Sequence, residues 1–357
     1  MHPNFFYFAL GRPFSPLYSL AMHLRASLYR RGVLRSHRFP IPVVSVGNLT
    51  LGGTGKTPMV QYLARLFQEH GFKPAIVSRG YGGAARGAIN LVSDGTSLLL
   101  DAHAAGDEPR LLAETLPGVP VLTGVVRRLP ARRAQEMGAD VLVLDDGFQH
   151  LQIVRDIDLV LFNTDRLAGN SRVFPGGDLR EPVAALRRAT GFVMTGVHAA
   201  NRERAERFAQ LLQAKFPATP VAFAGLRMEG LVATAPSGMI VPADPEPLHR
   251  EPCFAFCGIA HPELFRQTLS EHGFSLAGFF PLADHQRYTG PLLDRLLAEA
   301  RKSGARWLMT TEKDLVKLSG QAGHLSLPLY GLRMRVETDA DFSRAILARL
   351  RSWPAVP

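Results

Sequence analysis

The chain is poor in cysteine, with two in 357 residues, Cys253 and Cys257. Two thiols without companion ligands exclude a structural zinc site, and at most one bridge excludes a secreted disulfide framework. Both lie in the apolar run Pro252–Gly258, which reads as a buried strand with reduced core thiols, and a cytoplasmic compartment follows. Acidic residues are missing altogether before Glu69. There is also no unbroken apolar run of the ~20 residues that a membrane-spanning helix needs. Internal repeats, heptads and low-complexity tracts are absent too.

What is present is basic. Forty-one Lys and Arg against 31 Asp and Glu leave a formal charge of +10, which suits nucleic acid, anionic lipid or a phosphorylated substrate. The length exceeds what one core usually supports, so two domains are expected. The acid-free amino-terminal segment carries the aromatic cluster Phe5–Leu10 and then Phe14, Leu17, Tyr18, Ala21, Leu24 and Leu28 at helical spacing, with Arg25, Arg30, Arg31, Arg35 and Arg38 among and after them. It lacks the early basic region and small-residue cleavage site of a signal peptide. Periodicity alone fits either a helix lying in a membrane interface or one packed on the protein's own body. The cationic flank favours an anionic membrane surface. Because this basic cluster sits beside an apolar stripe rather than among aromatics on one face, nucleic acid is not expected as a partner.

The most informative stretch is Gly47–Pro58. A β-branched run, Ile41–Val46, precedes it, and Pro58–Phe67 follows with apolar residues at helical spacing. A glycine-rich loop between strand and helix turns backbone N–H groups onto phosphate oxygens. Lys56 then reaches the β- and γ-phosphates, and the Thr57 hydroxyl can ligate Mg²⁺. Asn48, Gly52, Gly53, Thr54 and Gly55 complete the candidate ATP site. Thr50 stands where the usual pattern has its first glycine, so Gly52 and Gly53 are expected to supply the bend.

Further strand-like runs, Pro74–Ser78, Val119–Leu122, Asp140–Leu144, Ile157–Phe162, Gly191–Met194 and Val221–Phe223, alternate with helical ones. The expected fold is α/β: a P-loop NTPase-like, doubly wound, mainly parallel sheet with a second, smaller α/β domain. The boundaries read as an interface segment at 1–40, the P-loop core at 41–225, a β-type connector at 226–250 and the C-terminal α/β domain at 251–357. Asp145 and Asp146 end an apolar strand, where a P-loop enzyme needs acid facing Mg²⁺. Asp107, just before a helix, reads either as an N-cap or as the carboxylate that accepts a hydroxyl proton. Lys313 and Asp314 read as facing nucleotide or as capping a helix.

These motifs, with Ser78-Arg79-Gly80-Tyr81-Gly82, Gly106-Asp107-Glu108-Pro109, Asp145-Asp146-Gly147-Phe148-Gln149-His150, Pro175-Gly176-Gly177, Leu179-Arg180-Glu181-Pro182, Phe256–Ala260, Asp284-His285 and Thr311-Glu312-Lys313-Asp314, occur in an order that resembles the tetraacyldisaccharide 4'-kinase family across nearly the whole chain. The resemblance implies transfer of the γ-phosphoryl group of ATP to the 4'-hydroxyl of a tetraacylated glucosamine disaccharide 1-phosphate. That is a late step of lipid A synthesis at the cytoplasmic face of the inner membrane, with peripheral or monotopic attachment and no required protein partner. It implies Asp107 as catalytic base supported by His285, and ATP held by the P-loop with Lys313. Asp145, Asp146 and Glu181 would serve Mg²⁺ beside Thr57, while Arg79, Glu108, Gln149, Arg180 and one arginine of Arg127-Arg128, with Arg128 preferred, would complete the site. A membrane-associated switch ATPase shares the Gly-Gly-x-Gly-Lys-Thr loop, but often has a second lysine where this chain has Leu51.

Overall fold

The computed structural model describes residues 5–235, 239–244, 250–259, 262–284, 286–318 and 325–353. Two short helices, α1 (Phe5–Gly11) and α2 (Ser15–Arg30), lead into β1 (Val43–Asn48), α3 (Lys56–Glu69) and β2 (Pro74–Ser78). Next come β3 (Asn90–Ser93), α4 (Ala102–Ala105), α5 (Asp107–Thr115), β4 (Val121–Thr123), α6 (Arg128–Glu136) and β5 (Val141–Asp145). The first half closes with β6 (Ile157–Asn163), β7 (Gly191–Thr195) and α7 (Arg202–Lys215). After β8 (Val221–Thr234) and β9 (Ile240–Ala243), the second half holds β10 (Cys253–Cys257), α8 (Pro262–Glu271), β11 (Leu276–Pro281), α9 (Gly290–Lys302), β12 (Trp307–Thr311), α10 (Glu312–Leu318), β13 (Leu329–Thr338) and α11 (Ala340–Arg351).

The described strands form one continuous sheet in the order β11-β10-β12-β13-β8-β7-β6-β1-β5-β2-β4-β3, with β9 paired to β8. Strands β4, β2, β5, β1, β6 and β7 are parallel, and β1 sits between β5 and β6. Period-two alternation sends their side chains to opposite faces. On one face Val44, Val46, Val143, Leu159 and Leu161 pack under α3 and α5. On the other, Val43, Val77, Leu142 and Leu144 meet Ala131 and Ala134 of α6, while Val160, Phe162 and Phe192 meet Ala205 and Leu212 of α7. Helices on both faces make the sheet doubly wound, as expected.

The expected division at 225/226 falls inside β8. Its first residues pair in parallel with β7 (Phe192 with Val221), and the same strand then pairs antiparallel with β13 from Ala224 to Val232. A strand that spends one edge on each neighbour fuses the two α/β halves into one sheet. The second half returns to the first through α11, which buries Ile346, Leu347 and Leu350 in the core over α3. Fully burying a side chain of this kind contributes about 2 kcal/mol. Tyr62 of α3 fixes the contact by hydrogen bonds to Thr338 and Ser343, and its ring stacks on Phe342. The two cysteines are buried in β10 as expected, and burial pushes both thiols up to about 12.

Helix α2 is docked on the body along one side and leaves an apolar stripe uncovered along the other. Ser15, Tyr18 and Arg25 hydrogen-bond to the carbonyls of Val173, Arg180 and Gln149, so this side of the helix is docked on the body. Leu10, Phe14, Leu17, Leu20 and Leu24 face outward and are 59% to 68% exposed. Among the described residues no helix is long and apolar enough to cross a membrane.

Candidate active site

The P-loop connects β1 to α3. Gly52 and Gly55 take φ of +101° and +76°, a left-handed conformation that side chains resist, so the bend comes from these two positions and Thr50 needs no glycine. Asn48 braces the loop from inside, donating from Nδ2 to the carbonyl of Thr50 at 2.8 Å. Lys56 opens α3 with its Nζ 3.3 Å from Asn48 Oδ1 and 3.5 Å from Asp146 Oδ1. Thr57 is buried in the same turn. Such a loop at a helix N-terminus is an anion site by geometry.

The carboxylate pair stands opposite. Asp145, the last residue of β5, accepts a hydrogen bond from Ser78 Oγ at 3.1 Å on Oδ2, while its buried Oδ1 has no partner. Burial, with repulsion from Glu108 and Asp146, pushes its carboxyl up. Asp146 follows in the left-handed region at φ +52°. Arg127 Nη1 donates to its carbonyl at 2.7 Å, which holds that uncommon backbone conformation in place. Arg180 Nη1 lies 2.9 and 2.8 Å from the two oxygens of Asp146. Burial alone would raise the Asp146 carboxyl, but Lys56 and then Arg180 outweigh it and hold it below the usual range. Gln149 joins by donating to the Asn48 carbonyl at 2.9 Å. His150 is driven down to about 3 by burial and by Arg127, Arg155, Arg25 and Arg79, so its imidazole is neutral.

Asn48, Lys56, Asp145, Asp146, Gln149 and Arg180 are thus brought together, with Glu108 and Arg79 close enough to act on Asp145 and Arg127. Arg128 is not among them. It is exposed at the start of α6, and the buried neighbour Arg127 occupies the site instead. Glu181, expected at the metal, gives both carboxylate oxygens to Arg188 at 3.0 and 3.1 Å. Lys313 lies on α10, 3.9 Å from Asp284. His285 lies outside the described residues.

Asp107 is not an N-cap. The cap of α5 is Gly106, at φ +93°, where an added Cβ would come within 2.6 Å of the Tyr81 carbonyl oxygen. Asp107 therefore occupies the first helical position, beside the loop that carries Arg79. Its Oδ2 is 3.5 Å from Nζ of Lys317 on α10. Sequence reasoning missed Ser78 and Lys317 as site residues, and preferred Arg128 to Arg127. Ser78 adjoins a position it did name, but nothing local marks Lys317.

Among the described residues no group of three or more His, Cys, Asp and Glu side chains gathers as a metal cage. Mg²⁺ does not require one, because it is commonly held by one or two carboxylates together with substrate phosphates and water. The unpartnered, buried Oδ1 of Asp145, in a carboxylate close enough to Lys56 of the P-loop for their charges to interact, fits that kind of site.

The tetraacyldisaccharide-1-P 4'-kinase family (LpxK) matches residues 7–351. The chain belongs to this family. A tetraacyldisaccharide 4'-kinase from Desulfotalea psychrophila is 48% identical over 347 residues, covering 97% of each chain. One from Syntrophus aciditrophicus is 41% identical, covering 95% of this chain and 92% of its own. Among solved structures, LpxK from Aquifex aeolicus in complex with ATP is 29% identical and aligns with a TM-score of 0.74, over 95% of this chain and 98% of that one. The family match runs through both halves of the sheet, so it takes in the P-loop, Asp107 and α10 alike.

Proposed function

We propose that the chain transfers the γ-phosphoryl group of ATP to the 4'-hydroxyl of a tetraacylated glucosamine disaccharide 1-phosphate. The observation that carries this reading is the convergence of Lys56, Asp145, Asp146 and Arg180 at the P-loop in a chain whose family match spans both halves. Phosphoryl transfer passes through a loose transition state with spread negative charge, so the protein's work is alignment and cationic stabilisation. Lys56 and the loop N–H groups hold the phosphates. Asp107 accepts the proton of the attacking hydroxyl, and His285 supports it. Thr57, Asp145 and Asp146 would hold Mg²⁺, which when bound neutralises phosphate charge. Gln149 and Arg180, each held through its backbone carbonyl by α2, face the acceptor side with Arg79, Glu108 and Arg127.

The exposed stripe of α1 and α2, flanked by the exposed Arg12, Arg30, Arg31 and Arg35, would lie in an anionic membrane surface at the cytoplasmic face of the inner membrane. The enzyme would then meet its lipid without extracting it. The test is product analysis: ATP, Mg²⁺ and the acylated disaccharide 1-phosphate are incubated with the protein in detergent micelles, and tandem mass spectrometry locates the new phosphate. A phosphate on the 4'-position of the distal sugar is the expected product. A new phosphate elsewhere, or none, contradicts the assignment.

A further inference from the structure

Helix α5 belongs to both halves of the molecule. Leu112, Ala113 and Leu116, at its C-terminal end, pack in the core over β1, whereas Leu111 packs in the second-half core with Phe254, Phe256, Leu308 and Leu315. Asp107 at its start meets Lys317 of α10, whose side chain is only 9% exposed. Lys317 Nζ is also 3.3 Å from Asp314 Oδ1 and 3.5 Å from the carbonyl of Gln286. Asp314 is fully buried and fixed in turn. Its Oδ2 accepts from the backbone N–H of Gly258 and from Thr311 Oγ1, both at 2.8 Å. Glu312 at the other end of α10 is paired with Arg333 of β13 at 2.6 Å.

A lysine is a long, flexible side chain that ordinarily keeps its charge in water. Here it is enclosed between two carboxylates, one of which is held by Gly258 just after β10 and by Thr311 at the end of β12. We propose that Lys317 is a positioning residue for phosphoryl transfer. It clamps the carboxylate of Asp107 at one oxygen and ties it, through Asp314, to the second half of the molecule. A base that is misplaced by about 1 Å can lose about 10²-fold in rate. The clamp also makes the orientation of Asp107 depend on how α10 sits against α5.

This inference rests on the reading of Asp107 as the base, and one set of kinetics separates the two. Full-length wild type, Lys317→Met, Lys317→Arg, Asp107→Asn and the Lys317→Met/Asp107→Asn double variant are assayed for phosphoryl transfer from ATP to the acylated disaccharide 1-phosphate in micelles. Lys317→Met is expected to lose about 10- to 100-fold in kcat with both KM values within about threefold of wild type, because geometry at the base changes while binding does not. Lys317→Arg keeps a cation in the same place and should recover most of the loss. The double variant should be no worse than Asp107→Asn, as for groups that act as one unit.

If wild type transfers phosphate but Lys317→Met stays within about twofold in kcat, or if its loss multiplies fully with that of Asp107→Asn, the positioning role is overturned and the kinase reading stands. An inactive wild type overturns both. Should Lys317→Met unfold, Lys317→Gln takes its place beside Lys317→Arg. Equal activity of Gln and Arg variants overturns the proposal, and activity retained by Arg alone supports it.

Discussion

At the scale of single residues, Asp145 shows what the candidate site costs the fold. Its carboxyl is enclosed at a strand end with one oxygen on Ser78 and the other unpartnered, and burial, Glu108 and Asp146 raise it from 3.8 to about 6. Between those values the folded chain keeps a proton that the unfolded chain has lost. Stability from this group is therefore present below the unfolded value, declines as pH rises toward the folded one, and stays lost above it. In EDTA without nucleotide, Asp145→Asn should melt higher than wild type near neutral pH, with the advantage shrinking as pH falls to about 4. Thermal melts across that range check it, and a lower melting temperature for Asp145→Asn at neutral pH would contradict the account. At the same scale, sequence reading reached the pair Arg127-Arg128 but preferred the wrong member, since only the phase of the chain entering α6 decides which of two adjacent arginines turns inward. Lys313 and Lys317 pose the same difficulty one helical turn apart: the partner that selects Lys317 is Asp107, 210 residues earlier in the numbering.

Among elements, those whose signals are local were legible and those made by long-range pairing were not. The P-loop was readable because strand, glycines, Lys-Thr and helix are contiguous; the bend was expected at Gly52 and Gly53, and the structure takes it at Gly52 and Gly55. The β8 strand was read as two pieces because Ala224-Gly225 interrupts a β-branched pattern. The structure runs one strand through that point, since each piece has its own neighbour to pair with. Periodicity found the stripe of α2 but not its orientation, which is set by Ser15, Tyr18 and Arg25 finding carbonyl partners on the body. Because Leu17, Leu20 and Leu24 point outward, replacing all three by Ser should leave the melting temperature within about 2 °C of wild type, as exposed substitutions usually do. Binding to anionic liposomes should fall several-fold, and more steeply at high salt. Flotation that is unchanged in the triple variant would remove the membrane role of the stripe.

At the scale of the whole molecule, the described strands form one sheet whose two halves are joined twice, by β8 and by α11, with α5 and α10 meeting at Asp107. A net charge of +10, and a cationic site walled by Lys56, Arg127 and Arg180, suit a substrate that brings phosphate from one side and an anionic lipid surface from the other. The central claim is that ATP is spent on a lipid-borne hydroxyl rather than on water. The most direct measurement follows labelled γ-phosphate and total ATP consumption together, with and without the acylated disaccharide 1-phosphate, for wild type, Lys56→Ala and Asp107→Ala. The account predicts that ATP consumption requires the acceptor and equals lipid labelling, that Lys56→Ala abolishes both, and that Asp107→Ala loses about 10² to 10⁴ in kcat while remaining folded. ATP consumption that proceeds equally without acceptor, with no label on lipid, would contradict it.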